Sequence, residues 1–234
     1  MIEVSDSQMP VITFDGPSGV GKGTMAQVIA NELGFHLLDS GAIYRLAALA
    51  AIEQQIESDN EAYLVALCEG LDIRFEAAAG GTKVFIFLNN IDVTARIRSE
   101  DIAQRASQIA VLGPVRQALL QRQRDFAQEP GLVADGRDMG TVVFPKAQIK
   151  FFLTATASVR AKRRFEELLA TGQNVEYSHI LQEIEARDQR DSQRAVAPLK
   201  PAEDAVILDT SAMSITDVKN AVLKILKSAG LKIS

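Results

Sequence analysis

The sequence contains little cysteine and no long apolar run. The single cysteine among 234 residues, Cys68, excludes an intramolecular disulfide framework and fits a reducing compartment, so we expect the cytoplasm. An apolar run such as residues 46–52 spans seven residues, whereas a membrane-spanning helix needs about 20. Residues 1–9 lack the basic start and apolar stretch of a secretory signal, which favours a flexible tail. The sequence therefore predicts no membrane segment.

The sequence also has fewer basic than acidic residues, 25 against 30. The formal net charge of -5 argues against a nucleic-acid partner, because affinity for nucleic acid comes mostly from a cationic surface. Thirteen of the fifteen arginines nevertheless fall within residues 96–194. Because the planar guanidinium matches phosphate oxygens two at a time, this concentration indicates a small anionic ligand. No heptad or long apolar edge is visible, and we expect a monomer.

Short apolar runs alternate with helical patterns along most of the chain. The runs predicted as buried strands are 11–14, 131–134, 149–153 and 205–208, and a further short strand is predicted at 35–38. Helices are predicted at 22–33 and 43–54, and a final helix starts at a capping box formed by Ser214 and Asp217. The alternation predicts an α/β fold with a parallel sheet and helices on both faces.

Residues 71–93 break this alternation. Three short strand patterns are separated there by Gly80-Gly81 and Asn89-Asn90, which predicts a small antiparallel meander. We interpret it as an insertion, after which helices within 99–126 return the chain to the main sheet.

A glycine-rich stretch, FDGPSGVGKGT, follows the first strand and precedes the first helix. Its Gly-x-x-x-x-Gly-Lys spacing matches a phosphate-binding loop, in which backbone N–H groups surround phosphate oxygens and the lysine reaches the β and γ phosphates. The alternative is a strand-to-helix turn without a ligand. The residues predicted to bind a nucleoside triphosphate are Gly16, Pro17, Ser18, Gly19, Val20, Gly21, Lys22, Gly23 and Thr24.

Gly23 occupies the position where such loops usually carry the serine or threonine that holds Mg²⁺. The ending GKGT instead resembles the nucleoside monophosphate kinases, and the metal ligands are left unassigned. Asp39 and Asp135 either orient Mg²⁺ through water or cap the turns that follow their strands. No Asn-Lys-x-Asp element typical of guanine-specific switches occurs.

Charged residues further along the chain predict a second anion site. The stretch LVADGRDMGT places Arg137 and Asp138 just past a strand, where open α/β sheets bind ligands. Arg187, Asp191 and Arg194 are spaced to share one face of a predicted helix, either as ligand-binding residues or as a solvated ladder of ion pairs. The basic cluster that begins at residue 160 has the same two interpretations.

Four further stretches carry a specific resemblance. HLLDSGAIYR (36–45), SQIAVLGPVRQALLQRQR (107–124), ADGRDMGTVVFP (134–145) and EARDQRDSQRAVAPL (185–199) resemble, in order, the bacterial cytidylate kinases. The similarity runs from about residue 10 to residue 228. It implies a three-layer P-loop kinase core with a parallel sheet, spanning 10–234. It also implies a nucleoside-monophosphate-binding region at about 40–126 that includes the small sheet, and a short helical lid at about 157–176.

The resemblance further implies transfer of phosphate from ATP, with Mg²⁺, to CMP or dCMP. The positions that match its phosphate-binding arginines are Arg45, Arg137 and Arg194. Those matching its cytosine-binding pocket are Ser40, Tyr44, Ser107, Arg116 and Asp138, and those matching its sugar contacts are Arg187 and Asp191. Those matching its catalytic charges are Lys22, Arg160, Arg163 and Arg164, together with the phosphate-binding Arg137 and Arg194.

Two rival functions stay open from the sequence. One is a related kinase that prefers UMP or AMP. The other is a nucleotide-gated regulatory protein that binds ATP without transferring phosphate.

Overall fold

The computed structural model describes residues 9–77 and 84–231, and the chain divides into two compact units. The first unit comprises Met1–Leu38 and Phe126–Ser234, and the second comprises Asp39–Asp125. Eight of the nine residues of the predicted tail, and the predicted Gly80-Gly81 turn, lie outside the described residues. Within the described ranges, no helix combines the length and apolar character required to cross a membrane.

The elements alternate largely as the sequence predicts. In chain order the strands are β1 (Val11–Asp15), β2 (His36–Asp39), β3 (Ile73–Ala77), β4 (Val84–Leu88), β5 (Ile91–Asp92), β6 (Leu132–Asp135), β7 (Ile149–Thr154) and β8 (Val206–Asp209). The α-helices are α1 (Lys22–Leu33), α2 (Ser40–Glu53), α3 (Glu61–Glu69), α4 (Glu100–Ile109), α5 (Gly113–Arg124), α6 (Ala157–Ala170), α7 (Tyr177–Ser192) and α8 (Ile215–Ser228). A 3₁₀ turn (Arg96–Arg98) precedes α4, and a π-helical turn (Met139–Val143) follows β6.

The first unit is built on a five-stranded parallel sheet in the order β2-β6-β1-β7-β8, which confirms the predicted fold class. Its central strand β1 is buried throughout, and Phe14 stacks on Phe151 of β7 with ring centroids 4.9 Å apart. The register pairs Phe14 with Asp135, so β1 and β6 end side by side. The chain segments that follow these two strands therefore leave the sheet at adjacent points.

The last strand differs from its prediction as a buried strand at 205–208. β8 begins one residue later and is the edge of the sheet, where Ile207 is 58% exposed. An edge strand has a neighbouring strand on one side only, so part of it stays exposed to solvent. The capping box that starts α8 is confirmed, with Ser214 and Asp217 bonded reciprocally.

The second unit contains the predicted antiparallel sheet, in the order β3-β4-β5. Asn89 and Asn90 form the two-residue link from β4 to β5, and their φ angles are 50° and 63°. A hairpin turn with two positive φ values favours asparagine. The predicted meander is therefore confirmed, and the Asn-Asn pair explains the turn from β4 to β5. In the same unit α2 packs against α3 and α4, and its small, apolar residues are almost all buried.

The close approach of Gly16 to β7 gives a stability prediction. Gly16 has φ +143°, and a Cβ there would lie 2.0 Å from the backbone oxygen of Leu153. Gly21 also has a positive φ of +91°, but a Cβ there would meet nothing within 4 Å. We expect Gly16→Ala to lower the free energy of unfolding by more than about 3 kcal/mol and Gly21→Ala by about 1–2 kcal/mol, measured by urea denaturation. Equal losses would contradict this packing.

Candidate functional site

The phosphate loop (residues 16–24) connects β1 to α1, and protein donors hold three of its backbone carbonyls. Lys22 Nζ donates to Pro17 O at 2.7 Å, and Arg160 Nη1 donates to Ser18 O at 3.1 Å. Thr210 Oγ1 lies 3.4 Å from Val20 O. These donors fix three carbonyls of the loop, which lies beside the positive end of α1, where an anion is favoured.

Lys22 is buried at the start of α1. Burial, followed by the charge of Arg137, lowers the pKa of Lys22 from 10.5 to about 7, although Asp135 and Asp15 oppose this shift. A bound polyanion would favour the charged ammonium, so the pKa of Lys22 depends on ligand binding. The lysine thus has the chemistry expected of a residue that contacts phosphate.

Asp135 lies directly beside the phosphate loop. A Cβ built on Gly23 would come within 3.2 Å of Asp135 Oδ2, so the missing side chain at position 23 leaves this carboxylate close to the helix start. In the described part of the chain, no group of three His, Cys, Asp or Glu side chains could hold a metal by itself. One carboxylate fits Mg²⁺, which commonly takes few protein ligands and completes its shell with phosphates and water.

Asp39 instead caps α2, since its Oδ1 accepts from Ala42 N at 2.9 Å.

The part-buried Arg137 and the buried Asp191 and Arg194 form a charged cluster in the first unit. Asp191, only 2% exposed, accepts from Arg137 Nε at 2.8 Å through Oδ2 and from an Arg194 terminal nitrogen through Oδ1. Arg194 does not lie on the predicted helix, because α7 ends at Ser192 and the chain bends back. The interpretation of a solvated ladder is wrong for Asp191 and Arg194, which are both buried, whereas Arg187 is partly buried.

Charge balance explains the ionisation of this cluster. Burial disfavours the Asp191 carboxylate, but the charges of Arg137 and then Arg194 hold the pKa of Asp191 below its ordinary value. Asp191 in turn holds the pKa of Arg137 above its ordinary value despite burial. Both arginines are therefore charged and share one counter-ion, an arrangement suited to taking up a further anion.

Asp138 starts the π-helical turn, and Asp15 holds that turn to β1. The Asp138 side chain is buried, and its backbone carbonyl accepts from Val142 and Val143. Asp15 Oδ1 accepts from Met139 N at 2.8 Å and Oδ2 from Gly140 N at 2.7 Å. Burial raises the pKa of Asp15 to about 7, although these two hydrogen bonds oppose the shift.

The three arginines predicted for the lid differ in environment. Arg160, 3% exposed, donates to Ala155 O at 3.0 Å and to Ser18 O, and it binds both carboxylate oxygens of Asp188. Arg163 donates to Thr210 O at 2.6 Å, and Arg164 reaches Glu167 on the surface of α6 at 3.0 Å. Arg160 therefore braces the phosphate loop against α7, and a direct role in catalysis stays a prediction for all three.

In the second unit, the predicted base-pocket residues lie on α2, α4 and α5. The Arg116 guanidinium lies 5.4 Å from the centre of the Tyr44 ring and donates to Ala110 O at 3.1 Å. Ser40 Oγ donates to Gln123 Oε1 at 2.6 Å. Ser107 is also buried.

Arg45, on the same unit, is part-exposed and lies 4.0 Å from Asp39. The structure thus brings Tyr44 and Arg116 together in one unit and Arg137, Asp191 and Arg194 in the other.

The sequence reasoning missed Asp15, Asp188 and Gln123. Asp15 had a signal, since it is a charged residue at the end of an apolar strand and immediately before a glycine loop. Asp188 and Gln123 had none, because their partners Arg160 and Ser40 lie 28 and 83 positions away along the chain.

Comparison with known proteins identifies one family for this chain. The family model described as cytidylate kinase matches residues 12–228. A cytidylate kinase from Pasteurella multocida is 57% identical over 89% of this chain and 91% of its own length. One from Aeromonas hydrophila is 55% identical over 92% of each chain. Among solved structures, a gluconokinase from Sinorhizobium meliloti aligns with 94% of this chain and 92% of its own at 16% identity, with a TM-score of 0.46. On the strength of the family match and the identity to these relatives, the chain belongs to the cytidylate kinase family.

Proposed function

We propose that this protein transfers the γ-phosphate of ATP to CMP or dCMP, giving CDP or dCDP. The observation that carries the proposal is that a glycine-lysine loop and an arginine pair, both suited to binding anions, lie in one unit at the ends of adjacent strands. The phosphate loop follows β1, and the charged cluster includes Arg137, which follows β6. Hydrolysis of ATP alone would need only the loop, whereas transfer between two phosphates needs both. Membership of the family supports the same reaction.

The donor phosphates are held by the phosphate loop. Backbone N–H groups of residues 18–21 and the ammonium of Lys22 bind the β and γ phosphates of ATP, and the positive end of α1 adds to the attraction. Because three loop carbonyls are already fixed by protein donors, the loop needs little rearrangement when the anion binds.

The acceptor phosphate is held by the arginine pair. Arg137 and Arg194 are fixed by Asp191, so their charges are in place before CMP binds. Arg45 is assigned to the same phosphate by its match to the family's motif. Arg187 and Asp191 are assigned to the sugar on the same ground.

The chemical step is promoted by charge rather than by a general base. Phosphoryl transfer passes through a loose transition state in which charge spreads over the equatorial oxygens, so positioning and electrostatic stabilisation do most of the catalysis. Lys22 supplies one positive charge, and Arg160, Arg163 and Arg164 are proposed to add theirs. Asp135 is the residue proposed to hold Mg²⁺, which when bound would neutralise charge on the donor phosphates.

Cytosine is proposed to be read by Ser107, Arg116 and Asp138. A carboxylate accepts from the N4 amino group, and an arginine donates to the ring carbonyl and N3. Uracil offers a carbonyl in place of that amino group, so Asp138 disfavours UMP. Ser40 and Tyr44 are proposed to line the same pocket.

An ADP-release assay tests the reaction itself. With ATP and Mg²⁺ present, we expect rapid ADP formation only when CMP or dCMP is added, and a much lower kcat/KM for UMP and AMP. ADP formation that does not depend on any monophosphate would support a regulatory ATPase instead. Comparable kcat/KM values for CMP, UMP and AMP would contradict the assignment of cytosine.

The base-reading role of Asp138 is tested by Asp138→Ala. Loss of one charged hydrogen bond costs about 1.5–3 kcal/mol, so we expect kcat/KM for CMP to fall roughly ten- to a hundredfold. Asp59→Ala, which changes an exposed aspartate, serves as the matched control and should leave kcat/KM within about twofold. An unchanged constant for Asp138→Ala would refute this role.

The lowered pKa of Lys22 predicts proton uptake on ATP binding. At pH 8 a lysine with a pKa of about 7 is mostly neutral, and the bound phosphates raise that pKa because they favour the ammonium form. We expect wild-type protein to take up a large part of one proton, measured by calorimetry in buffers of different ionisation enthalpy. Lys22→Met should abolish this uptake. The same proton count in both proteins would show that another group titrates.

A further inference from the structure

Asp15 ends β1 immediately before the phosphate loop, and its buried carboxylate has no part in the mechanism above. Each of its two oxygens accepts one backbone N–H, from Met139 at 2.8 Å and from Gly140 at 2.7 Å. These are the first two residues of the π-helical turn. Asp15, at the end of the strand before the phosphate loop, is therefore hydrogen-bonded to the turn that directly follows Arg137 and Asp138.

The contact leaves this turn little freedom to shift. Two hydrogen bonds to consecutive N–H groups fix both the distance and the orientation of the turn relative to β1. The turn also packs tightly on the strand, since a Cβ on Gly140 would lie 2.9 Å from Thr13 Oγ1. Because Met139 follows Asp138 directly in the chain, movement of the turn moves the Asp138 carboxylate with it.

We propose that Asp15 is a positioning residue that holds Asp138 and Arg137 in place for CMP, relative to the phosphate loop. The proposal rests on the function proposed above, in which Asp138 reads cytosine and Arg137 binds phosphate. An asparagine at position 15 would keep the volume of the side chain but offer only one acceptor oxygen, and its NH₂ group would face a backbone N–H. Asp15→Asn therefore disturbs the turn specifically.

The test compares kcat/KM for CMP with kcat/KM for UMP in one preparation of Asp15→Asn. This ratio does not depend on the folded fraction, so a purely structural role would not move it. Loss of a charged hydrogen bond corresponds to about a ten- to hundredfold effect, and we expect the CMP-to-UMP ratio to fall about tenfold while KM for ATP changes less than about threefold. Thr13→Val is the control, because Thr13 lies on the same strand and its Oγ1 has no hydrogen-bond partner within the described ranges. It should leave the ratio unchanged.

A double variant identifies the route of the effect. If Asp15 acts through Asp138, Asp15→Asn adds no further loss of selectivity to Asp138→Ala. A lowered melting temperature with an unchanged CMP-to-UMP ratio in the single variant would overturn the proposal, as would equal losses for ATP and CMP.

Failure of the base-reading assignment can be told apart from failure of this proposal. If Asp138→Ala itself leaves the ratio unchanged, the proposed base reading is wrong, and Asp15→Asn is then judged by its affinity for CMP in calorimetry. A roughly tenfold weaker affinity would support positioning through Arg137, and an unchanged affinity would overturn it.

Discussion

The buried carboxylate of Asp191, held between two guanidinium groups, is the interaction on which the charged site of the first unit depends. Arginine does not lose its proton at any relevant pH, so Arg137 and Arg194 cannot avoid the cost of burial by becoming neutral. Without the carboxylate between them, both cations would lose their shared counter-charge, and removing one partner of a buried ion pair is strongly destabilising. Since each oxygen of Asp191 binds one arginine, the same contact that balances the charge also fixes both side chains.

The parallel sheet decides where these charges lie. Phe14 pairs with Asp135 in the register of β1 and β6, so the two strands end together and the segments that follow them are neighbours. Asp15 and Asp135 extend from these two strand ends. One carboxylate binds the backbone of the π-helical turn, and the other lies beside Gly23. Asp15 lies one residue beyond the partner of Asp135 in this register, so the two carboxylates have different neighbours and different chemistry.

The phosphate loop is held from outside as well as by its own sequence. Its glycines permit the backbone turns, but Lys22, Arg160 and Thr210 bind its carbonyls. Arg160 also binds both oxygens of Asp188 on α7, so the position of the loop is coupled to two helices of the same unit. Arg160, which the sequence analysis assigns to the catalytic charges of the lid, is in the fold a support of the phosphate loop.

The sequence by itself determined the class of fold and the place of the glycine-rich loop between β1 and α1, because these depend on local patterns. Apolar runs of strand length, the Gly16-to-Lys22 spacing, the Asn89-Asn90 turn and the capping box at Ser214 each act within a few residues, and the structure contains all of them. Tertiary structure alone decided which charged groups meet. Arg137 and Asp191 are 54 positions apart, and Asp15 and Gly140 are 125 apart, so no local pattern links them. The spacing of Asp191 and Arg194 is equally compatible with a solvated surface. Only the tertiary packing around them shows that this ion pair is buried from water.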